Sequence, residues 1–321
     1  MKYAFALASL FLACASAPAQ TYPARTVALV VPAAPGGPSD VLARVLSEKL
    51  KSSFGQNVVV ENRGGANGTI GVMSVLRAPA DGHTVLLSVD GPVTTIPALM
   101  PAIGYDAGRD LMPVAVIGDG GDVVLAVPAD SPARNAKELA QLLAKDPAAA
   151  NYVSSGAGFP SHVVGELYKR EAQFSAQHVA VRGAGSAMAE LLSGRYSFSF
   201  PPASLAAAQA KAGKIRVLAV AAEKRSPLFP DTPTLVEAGY PAVSPPGYWI
   251  ATYVPAATPA AVVEKLATAS REATRSDDFV QLLKTQGMVA SALSPSQIQA
   301  RVRRETEFWQ KTIRQLDIKM E

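Results

Sequence analysis

Short apolar runs alternate along the chain with longer segments in which apolar residues return every three or four positions. The first apolar run covers 26–31, and the segment after it has Val41, Leu42, Val45, Leu46 and Leu50 at helical spacing. The same change from a strand pattern to a helix pattern recurs through most of the sequence. Regular alternation of this kind is typical of α/β folds, in which helices cover a mostly parallel sheet.

The pattern predicts two sets of strands and helices, one in each half of the chain. The first set has strands at 26–31, 58–61 and 84–89 and helices at 39–54 and 69–76. An irregular stretch at 92–113 and apolar runs at 114–117 and 123–127 follow. The second set has strands at 152–154, 178–181, 196–200 and 215–221 and helices at 136–144, 161–171, 184–192 and 204–212. A proline-rich connection, an apolar run at 248–254 and three helices complete the chain.

The repeated architecture predicts two lobes, each built on a doubly wound, mostly parallel sheet flanked by helices. The chain is expected to cross between the lobes at the glycine-rich segment 118–121, which separates two apolar runs. The apolar run that begins near 247 is the expected return. We therefore expect one lobe from 20–120 with 247–321 and the other from 121–246.

Glycine-rich turns follow four of the predicted strands, two in each half. They lie within 30–40, 62–69, 154–161 and 182–186, each between a strand and a helix. Such turns gather at the carboxyl ends of strands, and helix N-termini have unpaired N–H groups, so the turns predict an anion site between the lobes. The alternative for the first turn is that Gly36 and Gly37 only reverse the chain, while Ser39 or Asp40 caps the helix.

The first 19 residues have the features of a secretory signal peptide. Lys2 precedes an apolar run, and Ala17-Pro18-Ala19 fits a cleavage site. The apolar run is too short to span a bilayer, which needs about 20 residues. The only cysteine, Cys14, lies in this segment, so cleavage after Ala19 leaves a mature chain without thiols. A lipid anchor on Cys14 is the alternative.

Composition and charge exclude several classes of protein. With 321 residues, of which 49% are hydrophobic, the chain has enough apolar residues for folded cores and is not disordered. The 30 basic and 26 acidic residues give a net charge of +4, spread along the chain, which is not the pattern of a nucleic-acid-binding protein. The sequence contains no phosphate-binding loop and no serine-hydrolase elbow. The histidines His83, His162 and His178 lack metal-ligand spacing, so no metal or cofactor is expected.

Several longer motifs in a fixed order indicate a family. They are Tyr22-Pro23, Val30-Val31-Pro32 with Pro35-Gly36-Gly37 and Asp40, Val59-Val60-Glu61-Asn62-Arg63 with Gly65-Ala66, Gly68 and Ile70-Gly71, Ala80-Asp81-Gly82 with Thr84-Val85-Leu86, Ser161-His162 with Gly165-Glu166-Leu167, Ala212-Gly213-Lys214-Ile215-Arg216, and Lys224-Arg225-Ser226 with Pro230-Asp231-Thr232-Pro233-Thr234. Over nearly the whole mature chain, the sequence resembles the extracytoplasmic solute-binding proteins of tripartite tricarboxylate transporters, the Bordetella uptake gene family.

The resemblance implies a flytrap fold that closes over a small organic carboxylate and delivers it to an inner-membrane permease. It implies a monomeric periplasmic transport protein that is not an enzyme. Backbone N–H groups, hydroxyls and bridging waters would hold the acid. The positions that match the ligand-binding loops of the family are Pro35, Gly36, Gly37, Ser39, Ala66, Asn67, Thr69, Ser155, Gly156, Gly158, Ser161, Arg182 and Gly183.

Three positions depart from the family pattern and bear on the ligand. Ala33 stands where most relatives have an aromatic residue, and Phe159 adds an apolar ring to the facing turn. Pro201-Pro202 replaces an Asp-Asn pair that is common in relatives that bind amino acids. Without that carboxylate, an α-ammonium group loses its partner. We therefore expect a di- or tricarboxylate, or an aromatic or other apolar carboxylate, rather than an amino acid.

Three candidate residues have two interpretations each. Phe159 either contacts the ligand or packs in the core. His162 either packs or lines the cleft, and Asp90 either contacts a ligand hydroxyl or cation or caps a loop. Two other functions stay open at this point. One is a sensor that passes the closed state to a membrane signalling protein, and the other is an exported enzyme with His162, Asp90 and Ser155 as acid, base and nucleophile.

Overall fold

Two five-stranded sheets form the centres of the two lobes. The computed structural model describes residues 22–100 and 102–316, so the predicted signal peptide at 1–19, with Cys14, lies outside the described residues. The first sheet contains β1 (Val27–Val31), β2 (Val58–Asn62), β3 (Thr84–Val89), β4 (Leu111–Gly121) and β10 (Tyr248–Pro255). The second sheet contains β5 (Val124–Pro128), β6 (Asn151–Ser154), β7 (Gln177–Ala180), β8 (Phe198–Ser199) and β9 (Ile215–Val220).

The two sheets share one arrangement of strands. Their orders are β2-β1-β3-β10-β4 and β7-β6-β8-β5-β9. In the first sheet β1 is parallel to β2 and β3, whereas β10 is antiparallel to β3 and β4. In the second sheet β6 is parallel to β7 and β8, whereas β5 is antiparallel to β8 and β9. The predicted two-lobed α/β fold is confirmed. Its sheets are mixed rather than mostly parallel. The chain enters the second lobe through β5 and returns to the first through β10, and each of these strands is antiparallel to both of its neighbours.

Helices connect the strands and cover the sheets. They are α1 (Pro38–Phe54), α2 (Thr69–Leu76), α3 (Thr95–Leu99), α4 (Ala107–Asp110), α5 (Ala136–Lys145), α6 (Pro160–Glu171), α7 (Ala184–Leu192), α8 (Ala203–Lys211), α9 (Ala260–Arg275), α10 (Asp277–Thr285) and α11 (Pro295–Leu316). In the described part of the chain, every helix is either too short or too polar to cross a membrane.

Helix α1 shows how the apolar pattern becomes packing. It begins with Pro38, whose missing N–H is not needed in the first turn. Leu42 and Leu46 on one face are fully buried in the core of the first lobe, and burying each stabilises the fold by roughly 1.5–3 kcal/mol. The helix ends at Gly55, which has a φ of 64° and donates its N–H to the carbonyl of Lys51 at 3.0 Å.

The last helix contacts both lobes. Ile298, near its start, lies in one apolar cluster with Trp249 of the first sheet. Trp309 and Ile313, near its end, lie in another cluster with Val163 of α6, which follows a strand of the second sheet. Helix α11 therefore spans the two lobes, whereas the predicted boundaries place residues 247–321 in the first lobe alone.

Three predicted segments differ from the structure. The glycine-rich segment 118–121, predicted to cross between the lobes, is the end of β4 and pairs with β10. The strand predicted at 196–200 is reduced to β8, because Ser197 donates its N–H to Oδ1 of Asn151 at 2.9 Å and Pro201 has no N–H to continue the ladder. The stretch 92–113, predicted to be irregular, contains the short helices α3 and α4. Its prolines and glycines hide the helical periodicity.

Candidate functional site

The four glycine-rich turns form a continuous line of contacts. The amide Nδ2 of Asn62, at the end of β2, donates to the carbonyl of Ala33 in the first turn at 3.3 Å. Across the lobes, Nδ2 of Asn67 donates to the carbonyl of Ala157 at 2.9 Å. Within the second lobe, the N–H of Gly183 donates to the carbonyl of Ser155 at 3.0 Å. The turns that the sequence predicts to line one site are therefore neighbours in space.

Some polar groups of the first turn are hydrogen-bonded to neighbouring residues of the same segment. The N–H of Gly36 donates to Oδ2 of Asp40 at 2.9 Å, and Arg44 binds both carboxylate oxygens of Asp40 at 3.0 and 3.1 Å. Burial raises the pKa of Asp40, but the hydrogen bonds from Arg44 and Gly36 outweigh it and lower the pKa below its usual value. The sequence suggests that Gly36 presents a free N–H to a ligand. In the structure this N–H is already bonded to Asp40. Gly37 takes the N-cap position without a capping side chain.

The other residues of this first wall differ in exposure. Ala33 is half-buried, Pro35 is exposed, and Ser39 is buried in the first turn of α1. Ala33 and Pro35 are therefore the surfaces that this wall offers to a ligand. Their contact with one stays a prediction.

The second turn is held in an uncommon backbone conformation. Gly65, Ala66, Asn67 and Gly68 have φ values of 111°, 44°, 55° and 87°. The positive φ of Ala66 is costly, because residues other than glycine rarely adopt the left-handed region of backbone conformation. Thr69 then begins α2, and its N–H donates to the carbonyl of Ala66. This local shape directs the side chain of Asn67 toward the other lobe.

In the facing turn, two hydroxyls form a pair. Oγ of Ser155 lies 2.8 Å from Oγ of Ser161, which also accepts the N–H of Ser155 at 3.2 Å. The N–H of Gly156 donates to Oγ of Ser154, and the N–H of Gly158 donates to Nδ1 of His162 at 3.0 Å. The prediction that these N–H groups are unpaired is wrong for Ser155, Gly156 and Gly158. The hydroxyl pair is the polar surface that this turn can offer.

Phe159 lies at the contact between the lobes. A Cβ built on Gly91, which follows β3 in the first lobe, would lie 3.3 Å from Cδ1 of the Phe159 ring. A Cβ on Gly158 would lie 2.4 Å from Cδ2 of Leu99 in α3. Half-buried Phe159 therefore packs against the opposite lobe at the edge of the turn, and its contact with a ligand stays a prediction. The sequence gives no signal for Gly91 or Leu99, since α3 is hidden among prolines.

His162 lies behind the facing turn rather than on its surface. The residue is 5% exposed, and its ring stacks on that of His178 with a centroid distance of 3.8 Å. Its Nδ1 accepts from Gly158, as above, while the hydroxyl of Ser155 is paired with Ser161. The hydrogen bonds therefore do not join His162 to Ser155 as a base to a nucleophile, and they do not support the enzyme alternative.

The fourth turn begins with a charged side chain. Gly183 is the N-cap of α7, with a φ of 91°. Its N–H is bonded to the carbonyls of Ser155 and Val181. Arg182 is exposed, and within residues 22–100 and 102–316 its guanidinium has no hydrogen bond and no ion pair.

Asp90 is an interior carboxyl group at the end of β3. It is 2% exposed, and its Oδ1 has no hydrogen-bond partner among the described residues. Burial, followed by the nearby carboxylate of Glu305, raises the pKa of Asp90 to about 8. It precedes the short turn Gly91–Val93 without a side-chain capping bond, so the capping interpretation is wrong. Contact between Asp90 and a ligand stays a prediction.

Pro201 lies where the chain crosses between the lobes. It is buried, and its carbonyl accepts the N–H of Val124 at 3.0 Å. Pro202 forms a β-bridge with Val123. The diproline therefore pairs with the crossing segment, and lining of the cleft by Pro201 stays a prediction.

The described residues offer no obvious metal centre, since no three His, Cys, Asp or Glu side chains among them are grouped to hold an ion. They do contain a polar cluster that the sequence did not suggest. Arg301 of α11 donates to Asp119 and Glu305, each at 2.7 Å, and its guanidinium carbon lies 4.6 Å from the centroid of the Trp249 ring. Glu305 lies one helical turn after Arg301, but Asp119 and Trp249 lie far away along the chain, so periodicity carries no signal for the whole cluster.

Comparisons with known proteins agree with this arrangement. A family model described as "Tripartite tricarboxylate transporter family receptor" matches residues 42–318. BugT of Bordetella pertussis is 32% identical over 329 residues, covering 100% of this chain and 99% of that protein. The solved structure of MatC from Rhodopseudomonas palustris with bound malate has a TM-score of 0.85 and 29% identity, covering 91% of this chain and 100% of that one. A second R. palustris structure, with adipate, has a TM-score of 0.87 and 30% identity, covering 93% and 99%. These matches confirm the family that the motifs indicate, and the chain belongs to the receptor family of the tripartite tricarboxylate transporters.

Proposed function

We propose that this receptor captures a small organic di- or tricarboxylate, or an aromatic or other apolar carboxylate, between its lobes. It acts in the periplasm as a monomer, delivers the ligand to an inner-membrane permease and leaves it chemically unchanged. The similar proteins solved with malate and adipate support a carboxylate as the ligand.

The observation that carries the proposal is the position of Arg182. Its guanidinium is exposed and has no partner in the described ranges of the chain. The next residue, Gly183, is bonded to Ser155, whose hydroxyl is paired with that of Ser161. Arg182 thus carries an exposed guanidinium next to a residue that is bonded to the turn with the two hydroxyls, and together these groups can offer a carboxylate both charge and hydrogen-bond donors.

Selection against amino acids has a physical basis in the acidic groups near the turns. Asp40 is the acid of the first wall, and Arg44 and Gly36 already use its oxygens. Asp90 is buried. Asp40 is therefore engaged and Asp90 is enclosed, so neither presents an exposed carboxylate to an α-ammonium group, and leaving that group without a partner in a closed cleft is costly.

Titration of the mature chain with adipate, malate, citrate, benzoate and glutamate tests the proposal. We expect heat of binding and a raised Tm with one or more of the first four acids. Tight binding of glutamate, with no response to the others, would contradict the proposed ligand class. Mass spectrometry of the ligand after long incubation checks that it is recovered unchanged.

A matched pair of variants tests the site itself. Arg182→Gln is expected to weaken binding of the acid about tenfold or more, because a hydrogen bond to a charged group contributes about 1.5–3 kcal/mol. Arg77→Gln, at another exposed arginine outside the four turns, changes the net charge equally and leaves affinity unchanged. Uptake of the labelled acid is then compared in cells with and without the gene. Loss of uptake in cells without the gene indicates delivery to a permease, whereas uptake that persists in those cells indicates a sensor role.

A further inference from the structure

Two stacked histidines lie directly behind the facing turn. His162 is in the first turn of α6 and His178 is in β7, and their rings are 3.8 Å apart at an interplanar angle of 10°. The two rings hold the turn at separate points. Nδ1 of His162 accepts the N–H of Gly158 at 3.0 Å, and Nε2 of His178 lies 2.7 Å from Oγ of Ser154.

These bonds lie next to the hydroxyl pair of Ser155 and Ser161 in the same turn. Oγ of Ser154 also accepts the N–H of Gly156, which follows Ser155 directly. On the other side of the turn, Gly158 precedes Phe159 and α6, whose first turn carries Ser161. A change at either histidine therefore acts on the backbone between Ser155 and Ser161 without contact between the imidazole and a ligand.

The contact with Gly158 requires a neutral ring at His162. A nitrogen that accepts an N–H cannot carry a proton itself, so the proton of neutral His162 lies on Nε2. Burial, and secondly the ammonium of Lys169, lower the pKa of His162 to about 4. Burial, then His162, lower the pKa of His178 to about 3.

The charged and titratable groups that face the two rings come from the elements around them. Glu166 and Lys169 of α6 form an ion pair at 2.8 Å. From β6, Tyr152 donates its hydroxyl to Glu166 at 2.7 Å, and its ring centroid lies 4.9 Å from that of His178. The carboxylate of Glu166 favours protonation of His178, but Tyr152 and Lys169 already donate to it.

We propose that His162 and His178 are positioning residues that fix the shape of the facing turn, and that ligand binding requires a neutral ring at His162. The ligand-binding part of this inference rests on the proposed function, whereas the shape of the turn is measurable without any ligand.

Substitutions can separate hydrogen bonding from packing. In His162→Asn, the side-chain oxygen takes the place of Nδ1 as acceptor, whereas His162→Leu fills the space without an acceptor. In His178→Gln, the amide takes the place of Nε2, whereas His178→Leu removes that partner. His83→Leu is the matched control, because His83 is also buried and its Nε2 accepts the N–H of Ala24 at 3.2 Å, outside the four turns.

In the ligand-free protein, the test is hydrogen exchange of the Gly158 amide together with nitrogen NMR of the imidazoles. We expect an unprotonated Nδ1 on His162 near neutral pH, faster exchange in His162→Leu, and exchange close to wild type in His162→Asn. On acidification, the Gly158 amide resonance shifts as His162 takes up a proton, and the His162→Asn variant lacks this shift. A protonated Nδ1 near neutral pH, or unchanged exchange in His162→Leu, would overturn the inference.

Adipate binding supplies the second measurement. His162→Leu and His178→Leu are each expected to weaken it about threefold to tenfold, in line with one lost hydrogen bond of about 0.5–1.5 kcal/mol, while His162→Asn and His178→Gln retain most of the affinity. His83→Leu lowers stability without changing affinity. If wild type binds none of the acids tested above, the proposed function fails, and the exchange data still decide the role of the histidines. If wild type binds and both Leu variants bind equally well, the inference fails alone.

Discussion

Arg301 and Asp119 join the last helix to the end of β4, with Nη1 of the arginine 2.7 Å from Oδ1 of the aspartate. Asp119 lies just before the segment by which the chain leaves the first sheet. The same guanidinium donates to the carbonyl of Gly247 at 3.4 Å, next to the strand by which the chain returns. One side chain therefore contacts the end of the strand by which the chain leaves the first sheet and the residue before the strand by which it returns. Glu305 completes the cluster, because it binds Arg301 and accepts Nε1 of Trp249 at 2.8 Å.

Loss of the Arg301 guanidinium is expected to destabilise the protein. In Arg301→Met, Glu305 and Asp119 lose their cationic partner, and Glu305 is left buried with a side chain only 5% exposed. Breaking a buried ion pair costs about 3–5 kcal/mol, and the partial exposure of Asp119 favours the lower value. Urea denaturation measures the difference. Arg304→Met, at an exposed neighbour on the same helix, is the control and should change the free energy of unfolding by less than about 0.5 kcal/mol. Equal stability of the two variants would contradict a structural role for the cluster.

Asn67 is expected to set how closely the lobes approach each other. Asn67→Asp removes the donor to the carbonyl of Ala157 and places a carboxylate against it, while the positive φ of this position stays tolerable for Asp. Small-angle X-ray scattering of the ligand-free protein should therefore show a larger radius of gyration than wild type. Asn57→Asp, at an exposed position before β2, adds the same charge and should not change the radius. If both variants match wild type, the bond does not hold the lobes together.

The hydroxyl of Ser155 is expected to contribute to binding. Ser155→Ala removes one member of the pair with Ser161, and the loss of one hydrogen bond to the ligand costs about 1–2 kcal/mol, or about fivefold to thirtyfold in affinity. Calorimetric titration with the tightest-binding acid of the panel measures it. Ser53→Ala, on exposed surface at the end of α1, is the matched control. Unchanged affinity in Ser155→Ala would remove this hydroxyl from the site.

The contrast between what periodicity predicts and what it misses has a physical basis. Helix α2 and strand β3 have the predicted ends, because each is a short apolar run with a glycine or proline close to both ends. The positions of the four turns follow from the same pattern. The partners of Gly36 and Gly158 do not, since they depend on where the side chains of Asp40 and His162 point.

Contacts between distant segments lie beyond the sequence for a different reason. Arg301 and Asp119 are 182 residues apart, and each alone reads as a surface charge. Phe159 is apolar beside a turn, and only the fold shows that Gly91 leaves room for its ring. Periodicity places elements, whereas pairings between the lobes depend on how the elements are assembled.

Asp90 is expected to lower stability at neutral pH, in contrast to most acidic residues. Its pKa is raised to about 8 in the folded protein, chiefly by burial and secondly by Glu305, whereas the unfolded chain ionises near 3.8. The folded state therefore holds the proton that the unfolded state releases, and stability falls as the pH rises from about 4 to about 8. Arg301, which opposes this effect, is already bound to Glu305 and Asp119.

Asp90→Asn removes this titration and is expected to raise the free energy of unfolding near neutral pH by about 1–3 kcal/mol. The gain should shrink toward pH 4, where Asp90 is protonated in both states, and it should reach its maximum above pH 8. Urea denaturation over this pH range measures it, with Asp130→Asn at an exposed position as the control. A gain that does not vary with pH would show that Asp90 is ionised in the folded protein, and that its carboxylate has a partner which compensates for burial.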